Sequence, residues 1–307
     1  MTRTIISASR RTDIPAFHSQ WFIDRIRASY CCVANPFNPA QVQRVSLSRD
    51  DVAAIVFWTK NAEPMLPLLD ELEARGYHYY FQYTITGYPG LIEPRTPSLE
   101  HSVDTFLRLA DRIGPSRVIW RYDPILVTNM TDLDFHKANF TKIASMLKGN
   151  TRRVVVSLYD HYRGPTTRLR ALSDHGVELN LRPELLPGFD ALMSSIASCA
   201  GESGLEIASC AEEVDLSGFG IPPGKCIDDD LIRRVLGVEV TDAKDKSQRK
   251  RCLCVESRDI GTYDTCLHGC RYCYASRRTD LSLPRLDTRS ASGPQIALVD
   301  HSNRSDL

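Results

Sequence analysis

The sequence predicts an α/β fold built on a parallel sheet, a (β/α) barrel or partial barrel of TIM type. Three observations point there. Seven short runs rich in Val, Ile and aromatic residues recur along the chain, the composition of strands buried on both faces. Amphipathic segments with readable ends lie between them, so strand and helix alternate and right-handed crossovers follow. Each run also leads into polar or titratable residues, as strands do when their loops open on one shared face.

The strand candidates are Thr4 to Ala8, Ala53 to Trp58, Tyr79 to Ile85, Arg117 to Arg121, Arg153 to Leu158, Leu205 to Ser209 and Val255 to Ile260. After the first, Asp13 is placed to cap a helix with Pro15 in its first turn and Phe17, Trp21 and Ile26 on one face. Met65, Leu68, Leu69 and Leu72 line the next helix, which Gly76 ends. Val103, Phe106, Leu107, Ala110 and Ile113 line a third, up to Gly114. A fourth is expected from about Asp132 to Lys148, closed by Gly149.

A chain of 307 residues with 42% hydrophobic content can build a sizeable core. One domain is expected over residues 1–280. The Ser-, Asp-, Arg- and Pro-rich stretch 281–307 has no periodicity and is expected to be disordered. The string Ala8-Ser9-Arg10-Arg11-Thr12-Asp13 recurs at Ala275 to Asp280, with no physical reason visible in the sequence. Basic and acidic residues balance at 38 each, so bulk charge does not indicate nucleic acid. No apolar run approaches a membrane span, and Met1 to Ile6 reads as a strand rather than a signal peptide. A cytoplasmic protein is expected.

Ten cysteines are present, and seven fall between residues 210 and 273. In a reducing compartment such clustering points to metal or redox work. Cys266, Cys270 and Cys273 have the spacing C-x3-C-x2-C. Three thiolates on one short loop can hold three corners of a [4Fe–4S] cube and leave the fourth iron open for chemistry. Gly261 and Gly269 let the loop bend. A zinc site is the alternative, with His268 as fourth ligand. Cys210, Cys226, Cys252 and Cys254 are a second group, suited to an auxiliary [4Fe–4S] cluster, a zinc ion or neither. Cys31, Cys32 and Cys199 sit in helical or helix-adjacent apolar contexts and read as small buried hydrophobes.

The residues after each strand run form a candidate site. They are Arg10, Arg11 and Asp13; Lys60 and Asn61; Thr84, Thr86 and Tyr88; Arg121, Tyr122 and Asp123; Asp160, His161 and Tyr162; and Cys210, Glu212 and Glu213. Arg10, Arg11, Lys60 and Arg121 are suited to pairing with carboxylates or an anionic substrate. Tyr88, Tyr122 and Tyr162 can donate hydrogen or simply pack. The Asn35 to Pro39 loop, stiffened by two prolines, reads as a lid or an interface.

Several long strings carry a family resemblance. They are Ile5 to Pro15, Asn35 to Pro39, Phe57 to Asn61, Trp120 to Leu126, Cys210 to Glu213, Gly224 to Asp228 and Cys252 to Ala275. Through them the chain resembles a bacterial family known as a domain of unknown function, DUF1848. The string Cys-Leu-His-Gly-Cys-Arg-Tyr-Cys-Tyr-Ala also resembles the cluster loop of radical S-adenosylmethionine (SAM) enzymes related to spore photoproduct lyase.

The second resemblance implies a [4Fe–4S] cluster on Cys266, Cys270 and Cys273. It further implies cleavage of SAM to start radical chemistry on an unknown substrate. The implied electron donor is a flavodoxin or ferredoxin. Tyr272 would pack on the adenine, and Asp123 and Glu213 would meet ribose hydroxyls or the SAM ammonium. Two features depart from the pattern: the cluster strand is last instead of first, and no Gly-Gly-Glu run is present. A circular permutation reconciles the order if Val255 to Ile260 fills the usual first slot and Thr4 to Ala8 the second. The competing expectations are an iron–sulfur binding or electron-transfer protein without SAM chemistry, and a zinc-stabilised barrel that binds nucleic acid.

Overall fold

The computed structural model describes residues 3–276 and 293–296. Its main sheet is parallel and seven-stranded among the described residues. The strands are β1 (Thr4–Ala8), β4 (Val52–Thr59), β5 (Tyr79–Thr84), β6 (Val118–Ile125), β7 (Arg153–Leu158), β8 (Glu206–Ser209) and β9 (Arg258–Asp259). They lie in the order β8-β7-β6-β5-β4-β1-β9. Strands β4 to β8 thus follow β1 across the sheet in chain order, and the last strand lies beside the first.

Strand alternation sorts the side chains onto two faces. Ile6, Ala8, Ile55, Phe57, Tyr79, Phe81, Trp120, Tyr122 and Val156 pack into one core with the helices. Ile5, Ala54, Val56, Tyr80, Ile119 and Val155 face the other way. There they are covered by Cys226, Ile227, Leu231, Ile232 and the Cys252–Val255 stretch. Both faces are apolar, which explains why the strands read as near-continuous hydrophobic runs.

The helices are α1 (Ile14–Phe17), α2 (Ser19–Ala28), α3 (Leu69–Ala74), α4 (Leu99–Ile113), α5 (Leu133–Leu147), α6 (Arg163–Arg170) and α7 (Phe189–Glu202). Asp13 caps α1 by accepting a hydrogen bond from the Ala16 N–H at 2.9 Å. The single helix expected here breaks at His18. The one expected around Leu68 starts as a 3-10 turn, Glu63–Leu68, because Pro67 has no N–H for an α-helical bond. Asp132 caps α5 as expected.

One expectation is corrected. The final strand is the short Arg258–Asp259, not Val255 to Ile260, because the Val255 N–H is taken by Ile227 O at 3.1 Å. Cys252 and Cys254 therefore lie outside the sheet. Cys31 and Cys32 lie next to α2, on the strand that follows it. An antiparallel hairpin of β2 (Tyr30–Asn35) and β3 (Asn38–Ser46) intervenes before β4, and the Asn35 to Pro39 loop is its turn. Cys31 is buried and Cys32 half-buried there, while Cys199 is half-buried on α7.

Of the 281–307 stretch, residues 293–296 are described and pack on the rest of the chain. Gly293 O accepts from Trp21 Nε1 at 3.0 Å, Pro294 O accepts from the Cys32 N–H at 2.7 Å, and Ile296 is buried. The rest of that stretch, and 277–280 of the repeated string, lie outside the described residues. Among the described residues no helix is long and apolar enough to cross a membrane.

Candidate functional site

On the face opposite the main helices, each strand turns polar at its carboxyl end. Ser7, Trp58, Thr84, Arg121 with Asp123, Ser157 and Cys210 succeed the apolar residues of that face. A cavity of about 360 Å³ opens there, within the about 300–1,000 Å³ range of small-molecule sites. Arg10, Arg11, Lys60, Arg121, Asp123, Tyr272 and all seven clustered cysteines line it. Many of the site residues expected from sequence are thus brought together, and several are not. Glu213 is exposed and does not line the cavity.

Asn61, Thr86, Tyr88, Tyr122 and His161 also stay outside. Tyr122 sits between Arg121 and Asp123 on β6, so alternation sends it to the helix side, where it meets His136 Nδ1 at 2.9 Å. Tyr88 donates to Pro124 O at 2.6 Å and accepts from the Leu126 N–H at 2.8 Å, which makes it a packing residue. Tyr162 and Asp160 line the cavity, the latter paired with Arg249.

The cysteine loop is fastened to the sheet by buried polar contacts. His268 Nε2 meets Asp13 Oδ2 at 2.8 Å, its Nδ1 meets Arg95 O at 3.4 Å, and its ring packs on Phe17. Asp13 Oδ2 also accepts from the Lys60 N–H at 2.7 Å, joining the loops after β1 and β4 to the cysteine loop. Arg95 donates to Leu267 O, Arg168 to Arg271 O and Cys273 O, and the Arg271 N–H to Ile92 O at 3.0 Å. Gly269 has φ +70°, and a Cβ there would lie 2.6 Å from Arg95 Nη2. A Cβ on Gly261 would strike Ser9 Oγ at 2.0 Å, so its role is close approach rather than bending.

These contacts bear on what the loop can hold. Both ring nitrogens of His268 are engaged, so it does not offer a fourth ligand to zinc. One zinc ion would draw its sulfurs to about 3.8 Å from each other, given a Zn–S bond of about 2.3 Å. Among the described residues, only Asp228, Asp229 and Asp230 bring three donor atoms within 4.8 Å of one another. The three loop thiols are more open than that, and a polynuclear group fits them better than one ion. Burial, with Asp13 and Cys273, pushes the Cys266 thiol up to about 12. Burial and the nearby Glu93 raise Cys270 well above its ordinary value. A bound cationic centre would displace those protons.

The charged residues differ in what they leave free. Lys60 Nζ is 2.9 Å from Glu93 Oε1 and 3.3 Å from Thr86 Oγ1, and the Tyr272 hydroxyl also donates to Glu93. Burial would raise the Glu93 carboxyl, but Lys60, Tyr272 and Thr86 hold it below its ordinary value. Arg121 donates to Cys226 Sγ at 2.8 Å and to Gln82 Oε1 at 3.3 Å, and it pairs with Asp123. Asp123 also accepts from Ser157, and these partners hold it low against the effect of burial. Arg10 is the exception. Its guanidinium lies 5.4 Å from the Trp58 ring centroid, and its buried Nη2 has no hydrogen-bond partner. Arg11 reaches Gly261 O at 3.5 Å and lies over Tyr263.

Two site residues, Asp259 and Trp58, escaped sequence reasoning. Asp259 accepts from Ser9 Oγ at 2.8 Å, Ser7 Oγ at 3.0 Å and the Arg10 N–H at 2.8 Å, and so shapes the loop that carries Arg10. Trp58, which ends an apolar run, also stacks with Arg121 at 5.1 Å. Of the two glutamates expected after β8, Glu212 and not Glu213 turns inward, accepting from the Leu158 N–H at 3.1 Å. Burial with Asp123 and Cys210 nearby pushes its carboxyl up to about 9.

Fold and site together define an α/β protein with a thiol-lined cavity at the carboxyl ends of parallel strands. The chain belongs to the family described as "Domain of unknown function (DUF1848)", whose model matches residues 5–275. No curated protein matches it. Two solved structures of the pneumococcal protein StrH are similar to it. One concerns N-glycan recognition and hydrolysis by this virulence factor, at 13% identity, and the other the tandem GH20 modules of the exo-β-D-N-acetylglucosaminidase, at 12%. Each match has a TM-score of 0.25 and covers 68% of this chain and 53% of the other. The chain thus spans about half the length of these structures, and at that TM-score the likeness carries no weight for function.

Proposed function

We propose that the protein is a radical SAM-like iron–sulfur enzyme whose sheet forms a circularly permuted partial (β/α) barrel. The observation that carries this is the meeting of the Cys266–Cys273 loop with the Arg10, Lys60 and Arg121 ends of β1, β4 and β6 on one cavity. Strand order supports the permutation. If β9 were counted first, the strands would run across the sheet in unbroken sequence.

Cys266, Cys270 and Cys273 would hold the [4Fe–4S] cluster. Bound there, it would supply the electron that cleaves the SAM sulfonium and starts radical chemistry. The chain's own residues would bind and orient. Arg10, with an open N–H on the cavity, is the first candidate for a carboxylate of SAM or of an anionic substrate. Tyr272, pinned through its hydroxyl to Glu93, offers a fixed ring to an adenine. Lys60 would act by holding Glu93 and Tyr272 in place, and Asp123 by holding Arg121. Arg11 lies at the margin, beside Asp259. The partner this requires is a one-electron donor of flavodoxin or ferredoxin type.

The test is turnover of SAM by anaerobically reconstituted, dithionite-reduced protein. Formation of 5′-deoxyadenosine is expected, with its loss in Cys270→Ala and its survival in Cys31→Ala. A cluster-loaded protein that leaves SAM intact would favour an electron-transfer or binding role instead. One observation speaks for that second reading: Lys60 and Arg121 are already paired within the protein.

A further inference from the structure

A second set of thiols lines the same cavity. Cys210 follows β8, and Cys226 comes from a segment that returns to β8 through a bridge between Ser209 and Pro223. Cys252 and Cys254 come from the stretch before β9. Residues far apart in sequence therefore converge. Cys226 Sγ lies 3.1 Å from Cys210 Sγ, and Cys252 and Cys254 line the same cavity. All four are free thiols. They are also flanked by fixed donors. Arg121 Nη1 reaches Cys226 Sγ at 2.8 Å, and the Ile227 N–H reaches Cys254 Sγ at 3.4 Å. Arg10, with its open Nη2, is close enough to Cys254 to act on it electrostatically.

We propose that Cys210, Cys226, Cys252 and Cys254 hold a second iron–sulfur cluster on the cavity shared with the Cys266–Cys273 loop. Three features select this over the simpler possibilities. Inert core thiols do not need guanidinium groups beside them, whereas a thiolate-bound cluster is anionic and is stabilised by N–H donors to its sulfurs. Cys226 and Cys210 are in contact, and no three of the four thiols converge within 4.8 Å as one zinc ion requires. Structural zinc sites are closed, but these four line an open cavity. A substrate there would sit between two metal centres. The proposal does not depend on SAM binding.

The test is iron and acid-labile sulfide per chain after anaerobic reconstitution. Two [4Fe–4S] clusters give about eight irons. The triple variant Cys266→Ser/Cys270→Ser/Cys273→Ser is expected to keep about four, and so is Cys226→Ser/Cys254→Ser. Mössbauer spectra of the two variants should sum to that of the parent. If the double variant does not fold, the single changes Cys210→Ser and Cys252→Ser carry the same test, with circular dichroism as the control. A parent holding only about four irons, with none lost in the Cys226/Cys254 variant, overturns the proposal. So does one zinc per chain that disappears in that variant. Iron lost only in the triple variant supports the loop cluster alone, and iron lost only in the double variant supports this site alone.

Discussion

His268 and Asp13 meet at 2.8 Å with both side chains buried, and this contact ties the cysteine loop to the loop after β1. The same carboxylate caps α1 and accepts the Lys60 N–H. Asp13→Ala would remove three bonds at once, one of them a helix cap. A loss of about 3 kcal/mol is expected in urea unfolding. Asp13→Asn, which keeps the capping oxygen but turns an NH2 group toward the Lys60 N–H and His268, should lose more than half of that. Stability close to that of the parent would show that the hub is not held by the carboxylate.

Gly261 faces Ser9 Oγ with no room for a methyl group. Gly261→Ala should destabilise the fold by about 1–3 kcal/mol through overpacking. Adding Ser9→Ala should recover part of the loss, because it removes the nearest atom. A double-mutant cycle by thermal unfolding checks this. Simple additivity would contradict the close approach.

Lys60 and Glu93 form a buried ion pair. Glu93→Gln strands the lysine charge and should cost about 3 kcal/mol or more. Lys60→Met in the same background should restore at least half of that, since no charge is then left unpaired. Chemical denaturation of the single and double variants decides it.

His136 is buried, its Nδ1 2.9 Å from the Tyr122 hydroxyl and its Nε2 3.1 Å from Leu126 O. Burial lowers its pKa from 6.5 to about 4. Between those values the unfolded chain binds the proton that the folded one refuses, so stability falls as pH falls. The loss begins near pH 6.5 and is complete below about 4, amounting to about 3 kcal/mol. His136→Gln, which does not titrate, should flatten the stability profile over that window. An unchanged slope would assign the acid sensitivity elsewhere.

How far the sequence foretold this site depends on which residues are considered. The strand ends were legible because two-residue alternation and buried composition are local properties, so Arg10, Lys60, Arg121 and the cysteine loop could be put on one face. The hairpin was not, because most of Asn38–Ser46 is exposed and carries no apolar pattern. Glu212 and Glu213 could not be told apart, since Ala211 turns the chain at φ 56°. Internal neutralisation was also hidden. Lys60 finds Glu93 only through long-range folding, while Arg121 pairs with Asp123 two residues on. Arg10 therefore emerges, among the described cations of the cavity, with an unpartnered N–H, which composition alone could not single out.

A cluster on the Cys266–Cys273 loop with an iron open to SAM is the proposal most in need of a direct test. Electron paramagnetic resonance tests it most directly, on anaerobic, dithionite-reduced Cys226→Ser/Cys254→Ser protein with and without SAM. A reduced [4Fe–4S] signal that shifts on adding SAM is the predicted result. A cluster signal indifferent to SAM, or no cluster signal from protein that has folded, would contradict it.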